Sequence, residues 1–253
     1  MKKKHLLLLL VVLLLALAIP ASATQYNPPW AHNYGFFYTS PPFYPNQSFD
    51  SRSNADYAAN MQSIVGYNSY NCHDCGAYCG FANIKDDAVF FFYGHGGGGT
   101  DDPGGTLMFF NGTISYIFAE YRGWFSPNKD QYFLSTTTTE LNDILLAVYV
   151  ACYSGKESVY MGNLVDTSYQ KGVDNTIGFT KELYSTSAGY WSNRFWNRCL
   201  YGAMGSPQSF KDASNGATMD VLMNLGDFYN TQYKYSKLRV PYNYLNPARY
   251  GVV

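Results

Sequence analysis

AVFFFYGHGGGG, residues 88–99, decides the fold. Its first six residues, Ala88–Tyr93, are all apolar. A run that short with no polar face is the pattern of a strand covered on both sides. It breaks at Gly94-His95, and glycines follow at 96–99, so a buried strand delivers a histidine into a glycine loop. A second run, Asp143–Ala151 (DILLAVYVA), ends on Cys152, and a third, Asn175–Thr180 (NTIGFT), follows it. Helical periodicity marks Ser51–Ile64, with Ala55, Ala58, Ala59 and Met61 among polar positions; Ser187–Tyr201 and Ser206–Leu225 also read as helical. Strands alternating with helices, two of them wholly apolar, predict an α/β three-layer sandwich: a mostly parallel central sheet with helices on both faces.

The flanks add detail. Asn111-Gly112 between Thr106–Phe110 and Thr113–Phe118 predicts a hairpin. A short strand is expected at Tyr34–Tyr38 and a last one near Arg249–Val253. No repeat or low-complexity linker divides the chain. Residues 33–253 therefore read as one domain, overlapping a Pro- and aromatic-rich segment at 24–45 with the character of a pro-segment.

Of 253 residues 47% are hydrophobic and 14% charged, which excludes a disordered chain. The net charge is −1, and the only basic cluster is Lys2–Lys4, so nucleic acid is not the expected partner. Those lysines open a secretory leader, residues 1–23, with an apolar run Leu6–Ile19 and the small-residue site Ala21-Ser22-Ala23. Fourteen helical residues reach about 21 Å, short of the roughly 30 Å hydrocarbon core. Cleavage after Ala23 is expected, with export to the cell envelope or beyond and no membrane span in the mature chain.

Export makes the five cysteines candidates for pairing. Cys72, Cys75, Cys79 and Cys199 are the disulfide candidates, with their pairing open, and Cys152 is the odd thiol. A metal knuckle at Cys72-His73-x-Cys75-x3-Cys79 has irregular spacing and no second half-site, so no metal is expected.

His95 and Cys152 carry the chemistry. Ligands of an open parallel sheet bind outside the carboxyl ends of its strands, and each residue follows a wholly apolar strand. If those strands are neighbours, imidazole and thiol share one crevice, where the imidazole takes the thiol's proton. The amides of Gly96 and Cys152 then suit an oxyanion. Rival readings fail on the page: there is no G-x-S-x-G elbow, no histidine after Cys152, and no G-x-x-x-x-G-K-[ST] loop.

FFFYGHGG at 90–97 and LLAVYVACYSG at 145–155, with 57 residues from His95 to Cys152, resemble the two strand-end motifs of the caspase-like (clan CD) cysteine peptidases. That clan includes caspases, legumains, gingipains, clostripain and separases; the pattern is nearest its bacterial and archaeal gingipain-like and clostripain-like branches. The resemblance runs over roughly residues 33–225. It implies a caspase-like fold, Cys152 as nucleophile, His95 as general acid/base, an acyl-enzyme, a protein or peptide substrate and no cofactor. Val150 and Tyr153 stand where caspases flank the Ala-Cys pair with Gln and Arg, so cleavage after Asp is not implied. Gly178 and Phe179 are the expected wall of the substrate pocket. Asp101 and Asp102 would serve a basic substrate or a calcium ion, against the simpler reading of a solvated turn. The same fold used as a partner-binding module, or for transpeptidation, is the alternative.

Overall fold

Two strands with no polar face must lie at the centre of a sheet. The computed structural model describes residues 29–39, 48–97, 102–123, 126–137, 141–202, 205–227, 233–237 and 244–245. In chain order the elements are β1 (Trp30–Gly35), β2 (Phe37–Thr39), β3 (Ser48–Asp50), α1 (Arg52–Ile64), β4 (Asn68–His73), α2 (Ala77–Asn83) and β5 (Asp87–Tyr93). They continue with β6 (His95–Gly96), β7 (Thr106–Phe110), β8 (Ile114–Phe118), β9 (Gln131–Phe133), β10 (Leu146–Val150) and α3 (Leu164–Gln170). The last are β11 (Asn175–Phe179), α4 (Ser185–Leu200), α5 (Phe210–Leu225) and β12 (Tyr233–Lys237).

The main sheet has the order β12-β11-β10-β5-β1-β4. Five of its strands are parallel and β12 is an antiparallel edge. β5 and β10 lie at its middle, as their all-apolar sequences require, and they are neighbours. Their side chains divide by parity. Val89, Phe91, Tyr93, Leu146, Val148 and Val150 enter one core with α1, α4 and α5, while Phe90, Phe92, Ala147, Tyr149 and Ala151 enter the other. That second face is covered by the short helices α2 and α3 and by the small sheet β6-β7-β8-β9, so helices alone do not form the outer layer there. No helix among the described residues is long and apolar enough to cross a membrane.

Phe91 is fully buried and meets Trp196 edge-on at 5.5 Å. Truncation there leaves a cavity that backbone on both sides cannot fill, so Phe91→Ala should lower unfolding stability by about 3–5 kcal/mol, read by urea denaturation.

Most expected elements fall within two or three residues of their sequence bounds. The strand expected at Tyr34–Tyr38 splits into β1 and β2 around Phe36. Ser51 causes the split: its hydroxyl accepts from Phe36 N–H at 3.0 Å and donates to Tyr93 O at 2.7 Å, stapling this bend to the end of β5. β4, inside the Cys-rich segment, has no apolar run because it is an exposed edge. α3 carries a cap that could have been read: Asn163 Oδ1 accepts from the amides of Val165 and Asp166. The leader, residues 40–47, Asp101 and the strand expected near Arg249–Val253 lie outside the described residues.

Candidate active site

The register of β5 and β10 pairs Tyr93 with Val150, so the two strands end flush. Gly94 N–H still reaches Val150 O at 3.2 Å. His95 and Cys152, each two residues past its strand, therefore emerge together at the carboxyl edge of the sheet. Both line one cavity of about 560 Å³, whose other walls are Ser48, Phe49, Tyr93 and the segment 182–186.

Gly96 explains how the two loops come close. A Cβ built on it would lie 2.5 Å from Cys152 O and 2.8 Å from Ala151 Cβ, so only glycine lets the backbones approach. Directly after Cys152, Tyr153 adopts φ +57°, a conformation costly for a bulky side chain. It is held there by its N–H to Lys181 O at 3.1 Å and by a Lys156 ammonium 5.1 Å from its ring.

The His95 ring lies between Tyr38 and Phe49, with centroids 4.9 and 5.0 Å away. Those rings come from the β2–β3 hairpin, whose Tyr38 hydroxyl donates to Met108 O at 2.8 Å, on the cross-strand partner of His95. Burial lowers the His95 pKa to about 4, so the imidazole is in its neutral form at pH 7. Burial also pushes the Cys152 thiol up, opposed by a hydrogen bond from Leu183 N–H at 3.2 Å and reinforced by the Glu182 charge. The resting pair is thus a thiol and a neutral imidazole.

The depressed His95 pKa has a consequence for stability. Unfolded, the imidazole takes a proton near pH 6.5; folded, it does so only near 4. The protein therefore loses stability as pH falls from about 6.5 to 4, by about 2.5 kcal/mol at pH 4.5, and none of this loss is present above pH 7. Asp87, raised to about 6 mainly by burial against the opposing His32 contact, acts with the opposite sign over an overlapping range. The expected result is therefore a difference: urea unfolding at pH 7 and 4.5 should show a smaller acid loss in His95→Gln than in the parent protein.

The other expected site residues lie elsewhere. Gly178 faces away from the cavity; the space of its missing Cβ is filled by Val165 Cγ2 at 2.7 Å, Gly155 N and Ser154 Oγ. Phe179 is fully buried against Trp191 in the helical core. Neither lines the cavity. Asp102 accepts from Ser158 Oγ at 2.8 Å and Val159 N–H at 2.6 Å, binding its own loop to the turn after Cys152. All five cysteines carry free thiols. Cys199 is buried in α4 on the opposite side of the sheet from Cys72 and Cys75, which removes it from the pairing set. No group of three or more His, Cys, Asp or Glu side chains among the described residues is arranged to hold a metal.

The cavity residues that sequence reading missed are Phe49, Tyr93 and 182–186. Tyr93 hydroxyl donates to Ser185 O at 2.7 Å, fixing the 182–186 segment across the mouth of the sheet. Among the described residues Glu182 is the one acidic side chain on this wall, which carries no lysine or arginine.

No protein-family model and no curated protein matches the chain in sequence. Solved structures do match in shape. The Arg-specific cysteine proteinase gingipain R superposes with TM-score 0.51 at 12% identity, over 88% of this chain and 47% of that one. The Saccharomyces cerevisiae separase in its securin complex gives TM-score 0.50 at 13% identity, over 87% of this chain and 12% of that one. The chain thus spans less than half the length of either. The fold is that of the caspase-like, clan CD cysteine proteinases.

Proposed function

We propose that the chain is an exported cysteine peptidase in which Cys152 attacks the peptide carbonyl and His95 moves the protons. The observation that carries this reading is the single cavity that holds both a thiol and a base-form imidazole at the carboxyl edge of the sheet. As the sulfur–carbon bond forms, the thiol proton passes to His95, whose neutral state at pH 7 makes it the acceptor. The amides of Gly96 and Cys152 then hold the oxyanion. The imidazolium returns its proton to the leaving amine. Water, deprotonated by the same ring, releases the acyl group. No cofactor takes part.

Glu182 defines the substrate class within this reading. Among the described residues lining the cavity Glu182 is the one carboxylate, with no lysine or arginine beside it, and His95 is neutral at pH 7. Beside the aromatic faces of Phe49 and Tyr93, Glu182 suits a cationic side chain next to the cleaved bond. The likeness to an Arg-specific proteinase is in keeping with that choice.

The test is incubation of residues 24–253 with a diverse peptide mixture, with and without calcium, read by mass spectrometry. Cleavage after lysine or arginine is expected. Ligated rather than hydrolysed products would mean transpeptidation. No product of either kind from the folded chain, together with no acylation of Cys152 by an activated peptide ester, would overturn the reading in favour of a binding module.

A further inference from the structure

Cys72 and Cys75 bracket a tight turn between β4 and α2, in the sequence Cys72-His73-Asp74-Cys75. Cys72 sits on the edge strand opposite Tyr34 of β1, and both thiols pack, half-buried, against the aromatic core that contains Tyr34. Asp74, between them, takes φ +50°, the left-handed conformation of a tight turn. Cys75 Sγ donates to His73 O at 3.5 Å within this turn, and the two thiols act on each other's ionisation. This is a second thiol site, apart from the cavity that holds Cys152.

The two sulfurs are not equivalent. The neighbouring Cys72 thiol first, and then His32, favour the thiolate of Cys75, against burial and the Asp74 charge. The Cys75 sulfur, burial and the Asp87 charge hold Cys72 as the thiol. Metal binding does not account for the pair, because no third ligand joins it among the described residues. Cys79 is exposed on α2, and Cys199 lies across the sheet.

We propose that Cys72 and Cys75 form a reversible disulfide, closed by exchange with a small-molecule disulfide. The Cys75 thiolate attacks one sulfur of that disulfide, breaking its S–S bond and expelling one thiolate, which takes up a proton. Cys72 then loses its proton, attacks the Cys75 sulfur of the mixed disulfide and expels the second thiol. Two electrons pass from the protein sulfurs to the oxidant, and the sum is two protein thiols plus one disulfide giving one protein disulfide plus two small thiols.

The bond would be felt at the catalytic edge of the sheet. Asp74, inside the ring it closes, accepts from Phe37 N–H at 2.7 Å, donates its own N–H to Gly35 O at 3.1 Å and approaches Arg52 Nη1 at 3.7 Å. Phe37 lies on the β2–β3 hairpin that presents Tyr38 and Phe49 to the His95 ring. Oxidation therefore anchors the base of the structure that shields His95.

The test uses the folded chain equilibrated in buffers of reduced and oxidised glutathione at varied ratio, quenched with iodoacetamide and mapped by mass spectrometry. The expected result is a peptide spanning Cys72 and Cys75 that gains two alkyl groups in reducing buffer and, in oxidising buffer, none, with the loss of two hydrogens. Cys79 should remain alkylated or mixed with glutathione. The order of attack is read from two variants: Cys72→Ser should trap glutathione on Cys75, and Cys75→Ser should take up several-fold less on Cys72. Two alkyl groups on that peptide under every buffer, or a bond from either cysteine to Cys79, would overturn the proposal. The readout on the parent protein stands even if one variant fails to fold, and it is independent of peptidase activity.

Discussion

Cys152→Ala should leave a folded protein in which peptide cleavage falls by about 10⁴-fold or more, with His95→Gln losing a comparable factor and the double variant scarcely more. The reason is cooperative. The thiol is held protonated by burial and by the Glu182 charge, so without an acceptor it is a poor nucleophile. The imidazole without the sulfur has nothing to activate but water. Residual rate would come from the carbonyl-binding amides alone. Stability separates this loss from misfolding: Cys152 is half-buried, and truncation to alanine should move the urea midpoint by an amount equivalent to about 1 kcal/mol or less. Additive losses in the double variant would mean that the two side chains do not act on one step.

The part of the fold legible in sequence is the part fixed by burial on two faces. DAVFFFY and LAVYV admit no exposed side, so their interior positions follow from composition; that they are neighbours, the condition for His95 and Cys152 to meet at one edge, is what the structure adds. What stayed hidden depends on which way a strand end faces. β11 ends at the same sheet edge, which made Gly178 and Phe179 natural pocket residues. Phe179, however, turns toward Trp191, and the Ser154–Gly155 turn occupies the face of Gly178. The actual wall comes from Glu182–Thr186, a polar stretch whose sequence says only loop. It acquires its role from long-range bonds to Tyr93 and Cys152. The aromatic shield of His95 was equally hidden: Phe49 belongs to a three-residue strand paired with another three-residue strand, too short for any periodicity to register.

Glu182 gives the sharpest separation of substrate recognition from chemistry, because its replacement should move two measurements in opposite directions. With Glu182→Gln, kcat/KM for substrates with lysine or arginine next to the cleaved bond should fall about 10- to 100-fold. The loss is kept to this range because the carboxylate is solvent-exposed in the free protein and is desolvated only when substrate covers it. Charge reversal, Glu182→Lys, should deepen the loss and raise cleavage next to acidic residues. At the same time the Cys152 thiol of Glu182→Gln should become more acidic, since a negative neighbour that opposes thiolate formation has gone. Iodoacetamide should therefore label Cys152 faster at neutral pH in the variant than in the parent. On the proposed reading, a bound cationic side chain would neutralise Glu182 in the parent and have the same effect on the thiol, so that the substrate would help to activate the nucleophile. A variant with unchanged labelling and an unchanged preference would place Glu182 outside the binding site. Faster labelling with unchanged preference would leave it next to the thiol and assign substrate selection to the aromatic wall formed by Phe49 and Tyr93.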